Sequence, residues 1–444
     1  MNICIRGADY LVKDADRIEK NTDLLIENNE IISIGKNLPV TGDTTILDAK
    51  GCAVIPGLVN SHTHLYQNFL KGASAGLKLE DWFNTDLFPL VNKILKEQKD
   101  GNTRLNYLWT MIGSIEMIRG GVTCCQNMDV STVTALPGIL HAWNDLGIRG
   151  VGTVNLANQS GWVSSGLIRE DRKLYGTIEK LIENEHDPDS RIQIALGPST
   201  PFLCDEKLLK WVGKTAEKYG LGIQIHLSET SEEVNNSINE LGVTPVRYLY
   251  DIGLLTERLS AVHCVNVNQE DIKLLQTENV TVVSCPKSNM KLASGVMPWS
   301  DLQGAGIRIA LGSDGCASND LLDIWEEMRS ASFLGSVKSG NPSNVSPADV
   351  FRAATERGAD ACRVSAGVLD EGMLADLVLV DLTAPHLRPV HNILNTLVYC
   401  VRASDVRDVV IDGKIVMQNR VITTVDESSL MKEYEDAADR LFQS

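Results

Sequence analysis

Val54-Ile55-Pro56-Gly57-Leu58-Val59-Asn60-Ser61-His62-Thr63-His64 is an apolar run that ends in two histidines two positions apart. A run of this kind reads as a strand buried on both faces. Seven more follow it: Gly121-Val122-Thr123-Cys124, Gly150 to Val154, Ile192 to Leu196, Gly222 to Ile225, Leu259 to Val262, Val280 to Val283 and Ile307 to Leu311. Helical patterns lie between them with their own punctuation. Asp205 suits the N-cap of a helix that carries Leu208, Leu209, Val212 and Ala216 on one face, and Gly220 suits its end. Eight strand–helix units in succession predict a (β/α)8 TIM barrel, an α/β fold whose chemistry sits at the C-terminal ends of the strands.

The chain ends read differently. Leu24-Leu25-Ile26 and Ile31-Ile32-Ser33-Ile34 flank Asn28-Asn29 as a hairpin. A second all-β segment comprises Ala375 to Asp381 and Val409-Val410-Ile411, which turns at Asp412-Gly413 into Lys414 to Met417. Two distant strand sets around one insert predict a small β-sandwich composed of residues 1–55 and 366–444, with a C-terminal helix, and a barrel domain over 56–365. The stretch from Leu65 to about Gly121 is longer than a crossover helix needs. Its aromatic piece, Trp82-Phe83 to Phe88-Pro89, is expected to fold over the barrel mouth as a loop lining a substrate pocket.

Of the 444 residues, 43% are hydrophobic and 22% charged, which suits a large buried core and excludes a disordered or fibrous chain. The net charge is -17 and no block of Lys and Arg occurs, so neither nucleic acid nor an anionic membrane surface is an expected partner. No run approaches the ~20 apolar residues of a membrane span. The N-terminus shows no basic-then-apolar leader, and a cytoplasmic protein is expected. Ten cysteines without a C-x-x-C pair read as reduced core residues. A homodimer or higher homo-oligomer is admitted.

Four of the eight histidines fall at ends of predicted barrel strands. His62 and His64 share one side of an extended strand end, so both can reach one metal ion. His226 ends the fifth strand, His263 the sixth, and Asp314 the eighth, in Leu311-Gly312-Ser313-Asp314-Gly315. In a barrel all five meet at one mouth, a nitrogen and carboxylate set suited to one divalent transition metal, zinc first and iron second. Unpaired in apolar strands without a metal they would cost several kcal/mol. Glu229, three residues past His226, stands where it can shuttle protons between water and substrate. His141, His186, His386 and His391 lie away from the strand ends and read as structural, His186 in an exposed charged loop.

The motifs Pro56 to His64, His226-Leu227-Ser228-Glu229-Thr230, His263-Cys264, Ser288 to Gly295 and Gly312 to Asn319 occur in an order that resembles the metal-dependent amidohydrolase superfamily. The resemblance is to its cytosine deaminase-like branch, which holds adenosine-derivative and guanine deaminases and triazine hydrolases. It implies one metal held by His62, His64, His226 and Asp314, with His263 hydrogen-bonded to the metal-bound water. Binuclear members carry a carboxylated Lys at the end of the fourth strand, whereas this chain reads Leu196-Gly197-Pro198-Ser199 there, so one metal is expected. The implied reaction is hydrolytic deamination of an amino-substituted N-heteroaromatic ring by metal-bound hydroxide. Asp314 would accept the water's proton, Glu229 would protonate the ring nitrogen and His263 would orient the nucleophile. Deamination of 5′-methylthioadenosine or S-adenosylhomocysteine, or chloride hydrolysis from a triazine-like ring, are the alternatives; a metal-dependent binding protein without catalysis is a third.

Gln67, Trp82, Phe88, Ser199, Asn289 and Ser318 are assigned to the substrate pocket. The stretch Gly197 to Cys204 is similar to the 5′-methylthioadenosine and S-adenosylhomocysteine deaminases but departs from them at Ser199 and Phe202. Val91 stands where those relatives carry a ribose-binding Glu, and their Arg near Gly166-Leu167-Ile168 is absent unless Arg169 replaces it. These departures lead to the expectation of a compact amino-heterocycle in preference to a nucleoside thioether.

Overall fold

A computed structural model describes residues 2–129, 136–159 and 172–443. The eight barrel strands are Leu58–Thr63, Val122–Asp129, Arg149–Leu156, Ile192–Pro198, Ile223–Leu227, Leu259–His263, Thr281–Ser284 and Arg308–Leu311. They lie side by side in chain order, each parallel to the next. Every residue of the first is buried, because the barrel interior takes one face and the surrounding helices the other.

The eighth strand and the turn after it close on the first through a set of hydrogen bonds. Asn60 Nδ2 donates to Ser313 Oγ at 2.8 Å, Ser313 N to Asn60 Oδ1 at 3.0 Å, and Asp314 N to the His62 carbonyl at 3.0 Å. At the other end the helix Glu356–Cys362 plugs the barrel, packing Ala359 and Cys362 on Val59, Cys124, Val151 and Ala195.

The helices follow their punctuation. Asp205 caps Glu206–Tyr219 by accepting from Leu208 N, and Gly220 ends it at φ 74°. Two further sheets come from the chain ends. One orders Glu30–Gly35, Thr22–Glu27, Asn2–Ala8 and Thr44–Asp48; the other orders Val421–Ile422, Lys414–Gln418, Val406–Ile411, Leu377–Asp381, Cys52–Pro56, Tyr10–Val12 and Ile18–Glu19. Their facing sides share a core of Ile3, Ile5, Leu24, Ile26, Val54, Leu377, Leu379 and Val410. A buried pair, Arg149 Nε to Asp376 Oδ2 at 2.7 Å, ties this sandwich to the third barrel strand.

Two expectations are corrected. The run Val54 to Val59 is two strands: Cys52–Pro56 pairs with Leu377–Asp381 in the sandwich, and Leu58–Thr63 begins the barrel. The chain breaks at Gly57, where a Cβ would lie 1.9 Å from Thr123 Oγ1. The aromatic piece is helical throughout, over Leu79–Trp82, Phe83–Leu87 and Phe88–Lys99. Pro89 sits in the first turn of the last of these, where its missing N–H costs nothing, and Leu87, Leu90, Val91 and Ile94 recur at helical spacing on the buried side.

All ten cysteines are free, nine of them buried and Cys400 exposed. No described helix is long and apolar enough to cross a membrane.

Gly312 stands where the closing strands come closest: an added Cβ would lie 2.8–2.9 Å from His62 Cβ, N and O, atoms that cannot rotate away. Gly312→Ala should lower unfolding stability by about 1–3 kcal/mol, the usual cost of overpacking. Gly304→Ala, in a helix and with nothing within 4 Å of the new methyl group, should not lower it and should raise it by up to about 1 kcal/mol. Urea denaturation of both variants checks this.

Candidate metal centre and active site

Alternation along Leu58–Thr63 carries His62 and His64 to the same side, their rings 4.7 Å apart. The fifth strand adds His226, the sixth His263, and the turn after the eighth adds Asp314. His64 Nε2 lies 3.2 Å from His226 Nε2, and Asp314 Oδ1 lies 3.4 Å from His62 Nε2 and 3.3 Å from His64 Nε2.

Each imidazole is turned by a bond on its other nitrogen. His62 Nδ1 meets Gln224 Oε1 at 2.8 Å, His64 Nδ1 the Met128 carbonyl at 2.6 Å, His226 Nδ1 the Ser199 carbonyl at 2.7 Å and His263 Nδ1 Asn289 Oδ1 at 2.9 Å. All four partners are oxygen acceptors, so the proton of each neutral ring sits on Nδ1 and the Nε2 lone pairs point inward. Burial first, then His62, lowers His64 to about 4, and burial drives His226 well below its ordinary value, so these rings are neutral near pH 7. Burial pushes Asp314 up, but the surrounding histidines, His62 first, outweigh it and hold the carboxylate well below its usual range.

Facing lone pairs and a carboxylate, with no proton to share, repel one another unless a cation lies between them. His62 Nε2 is buried without a hydrogen-bond partner. Two ligands bound ~2.1 Å from a tetrahedral ion stand roughly 3.4 Å apart, and the Nε2 and Oδ1 separations of 3.2–3.4 Å match that spacing. The ligand atoms of His62, His64 and His226 all lie within 4.8 Å of one another. The residues present therefore fit one divalent ion.

Glu229 is buried beside this cluster. Its Oε2 lies 3.6 Å from His263 Nε2, and Ser294 Oγ donates to its Oε1 at 3.1 Å. Burial, reinforced by Asp314, lifts its carboxyl to about 8. Four supporting residues escaped sequence reasoning. Glu233 accepts the Ser228 and Glu229 N–H groups at 3.0 and 2.7 Å, and its place three residues after the N-cap Thr230 is a capping-box signal that could have exposed it. Gln224, two before His226 on the same strand face, was legible by alternation. Ser288 and Ser294 carried no signal of their own.

One cavity joins these groups to Tyr66, Gln67, Trp82, Phe83, Ser199 and Phe202. Of the residues assigned to the pocket, Gln67, Trp82 and Ser199 are on its wall. The other three stand behind it. Phe88 stacks on Phe83 at 5.4 Å, with its ring in a cluster with Ala157 and Leu203; Asn289 backs His263; Ser318 donates to Asp314 Oδ2 at 2.9 Å. Val91 is fully buried in the core. Gly166, Leu167, Ile168 and Arg169 lie outside the described residues. His141 and His391 are exposed, His186 is half-buried rather than exposed because its Nδ1 accepts from Ile194 N, and His386 pairs with Asp405.

The model of the amidohydrolase family matches residues 53–416. The chain belongs to the amidohydrolase family. It is 38% identical over 421 residues, 94% of each chain, to a 5-methylthioadenosine/S-adenosylhomocysteine deaminase of Thermococcus sibiricus. It is 37% identical over 432 residues, 96% of this chain and 98% of the other, to a 5′-deoxyadenosine deaminase of Methanocaldococcus jannaschii. The solved adenosine deaminase of Xanthomonas campestris, which has bound zinc, superposes with a TM-score of 0.90 at 28% identity over 100% of this chain and 99% of that one. The amidohydrolase family is metal-dependent, and this member keeps a histidine cluster that fits an ion.

The purified amidohydrolase should bind one equivalent of zinc, measured by elemental analysis after chelation and reloading; two tightly held ions per chain would contradict a single site. His226→Asn should abolish that binding. Gln224→Leu, which removes the acceptor that turns His62, should weaken it about 10–100-fold, the usual effect of losing a ligand's outer partner.

Proposed function

We propose that this amidohydrolase hydrolytically deaminates an amino-substituted N-heteroaromatic ring, with zinc held by His62, His64, His226 and Asp314. The observation that carries the reading is a protonated, buried Glu229 in the same cavity as an ionised Asp314 and an inward-facing His263. When bound, the metal supplies the Lewis acidity that makes water a nucleophile near neutral pH. Two carboxyl groups pushed apart by their surroundings are an acid and a base ready for one reaction.

Asp314 takes a proton from the attacking water. Glu229 gives its proton to the ring nitrogen beside the attacked carbon, so negative charge does not build up on the heterocycle. His263, held through Nδ1 by Asn289, presents an Nε2 lone pair that accepts a hydrogen bond from the incoming water and fixes its direction. Asp314 then passes its proton to the amino group, which leaves as ammonia, and Glu229 recovers one from the new hydroxyl as the carbonyl forms. The helical segment bearing Trp82 and Phe83 keeps bulk water from the ring.

The deaminases of adenosine derivatives among its relatives make an adenine-type ring the first substrate to try. Of the departures behind the expectation of a compact ring, Ser199 and Phe202 are on the cavity wall, and the Val91 side chain is in the core. Ten free cysteines suit a reducing compartment, which we take to be the cytoplasm.

Glu229→Gln should lower ammonia release from adenosine derivatives by about 10²–10⁴-fold, the range for a positioned acid–base group. Its zinc content should stay at the wild-type level, because the side chain is not a ligand. Activity above about a tenth of wild type would contradict the proton-carrying role.

A further inference from the structure

Glu327 has no part in the reaction proposed above, and it is not on the cavity wall. It lies in the first turn of the helix Ile324–Ser339, where the helix dipole alone would account for an acid. Yet the residue is fully buried. Burying a carboxyl group is costly unless donors reach it. Two do, and both come from other segments: Asn319 Nδ2 donates to Oε1 at 2.7 Å and Lys287 N to Oε2 at 3.1 Å. Burial lifts the carboxyl to about 8 against the pull of these donors, and in either protonation state both oxygens keep a lone pair with which to accept.

The first donor leads to Asp314. Asn319 ends the short helix Cys316–Asn319, and its amide nitrogen makes a second bond, to the Ser313 carbonyl at 2.6 Å. Both neighbours of that nitrogen are acceptors, so Oδ1 is turned away from them, and it is buried without a partner. The Ser313 carbonyl and the Asp314 N–H belong to one peptide unit. Asp314 N donates to the His62 carbonyl at 3.0 Å, so the unit is gripped on one side by the first barrel strand and on the other by Asn319. Its tilt decides where the Asp314 carboxylate points, and Asp314 holds a φ of 60° that a non-glycine residue keeps only when its surroundings enforce it.

The second donor leads to His263. Lys287 N lies in the first turn of Pro286–Lys291, where backbone N–H groups have no partner within the helix. The next two residues both serve the site. Ser288 Oγ donates to Asp314 Oδ2 at 2.6 Å, and Asn289 Oδ1 holds His263 through Nδ1 at 2.9 Å. One carboxyl group thus spans the segments that follow the seventh and eighth strands.

We infer that Glu327 is a positioning residue, which sets Asp314 and His263 relative to each other by holding Asn319 and the Lys287 N–H. The inference rests on the deaminase reading for the roles of Asp314 and His263 and adds a residue to it. Glu326 supplies the contrast: it is half-buried and pairs with the Lys287 side chain, not its backbone.

The test measures two quantities: zinc affinity of the metal-free protein, by competition with a chelator, and kcat and KM for ammonia release from adenosine by the zinc-loaded protein. It compares the wild type with Glu327→Met, Asn319→Ala, the double variant and Glu326→Met. Methionine is unbranched like glutamate but accepts neither donor. Glu327→Met should weaken zinc binding about tenfold. It should lower kcat about tenfold or more at saturating zinc, with KM within about twofold of wild type. Glu326→Met should match the wild type in all three. Asn319→Ala should also weaken zinc binding about tenfold, and the double variant should stay within about threefold of the weaker single variant, because both changes cut one chain of contacts. A merely structural Glu327 would give independent losses that multiply, and a double variant weaker than that would overturn the inference. Wild-type zinc affinity and kcat in folded Glu327→Met would overturn it as well. Should Glu327→Met not fold, Glu327→Gln decides, since glutamine keeps one acceptor oxygen and must turn its NH2 group on a donor. A loss of about threefold or more in zinc affinity or in kcat then supports the inference, and no loss in either overturns it. If the wild type binds zinc but releases no ammonia, the deaminase reading fails for this ring and the zinc affinities still decide. A wild type that binds no zinc overturns both.

Discussion

Asp314 donates its backbone N–H to the carbonyl of His62 at 3.0 Å, and that contact both shuts the barrel and sets one candidate ligand against another. Its neighbours leave it little freedom. Asn60 and Ser313 exchange two hydrogen bonds one turn of the pleat away, and Gly312 lets the two chains approach where any side chain would strike His62. A slip of one residue between these strands would turn Asp314 or His62 to the opposite face, since side chains alternate along a strand. The separations of 3.3 and 3.4 Å between Asp314 Oδ1 and the two Nε2 atoms thus depend on barrel closure.

The closed mouth is an expensive place for charge. Burial leaves His64 and His226 neutral, so neither supplies the ionised Asp314 with a cation. An uncompensated buried charge costs several kcal/mol, and a metal ion removes that cost. Meanwhile the surroundings hold the groups in place: Ser288 and Ser318 donate to Asp314 Oδ2, and each imidazole is pinned through Nδ1. Ser228, His263, Cys264 and Asp314 all adopt positive φ, a conformation that costs non-glycine residues energy and gathers at functional sites. Glu229 meets the same burial with one hydroxyl donor and the repulsion of Asp314. It stays protonated where Asp314 stays charged.

Strand ends were readable because histidines and carboxylates in apolar runs are costly without a shared purpose, so His62, His64, His226, His263 and Asp314 stood out in sequence. Their partners did not. Asn289 is 26 positions from His263, with nothing local to mark it as a hydrogen-bond acceptor, and Gln224, though on the strand face of His226, is 162 positions from the His62 that it turns. The break at Gly57 was hidden because Cys52–Pro56 and Leu58–Thr63 are both buried on two faces, which erases the polar alternation that would separate them. Among the aromatics, composition placed the cluster near the mouth but could not give the helix phase. One turn decides that Phe83 reaches the cavity while Phe88 stacks behind it.

That hidden break explains why the barrel carries a sandwich. Cys52–Pro56 is locked between Leu377–Asp381 and Tyr10–Val12, and only Gly57 separates it from the strand bearing His62 and His64. Gly57 N donates to the Asp376 carbonyl at 3.0 Å and Leu58 N to the Gly121 carbonyl at 3.0 Å, so the ligand strand leaves the sandwich already in register. Asp376 also binds Arg149, at the start of the third barrel strand, whose other end carries Asn155. Asn155 is six positions along the strand from Arg149, roughly 20 Å at 3.3 Å per residue. A strand hydrogen-bonded on both sides transmits position over that length with little slack. Through one aspartate the sandwich therefore fixes both the strand that offers candidate ligands and the strand whose far end lines the cavity with Asn155, without touching the cavity.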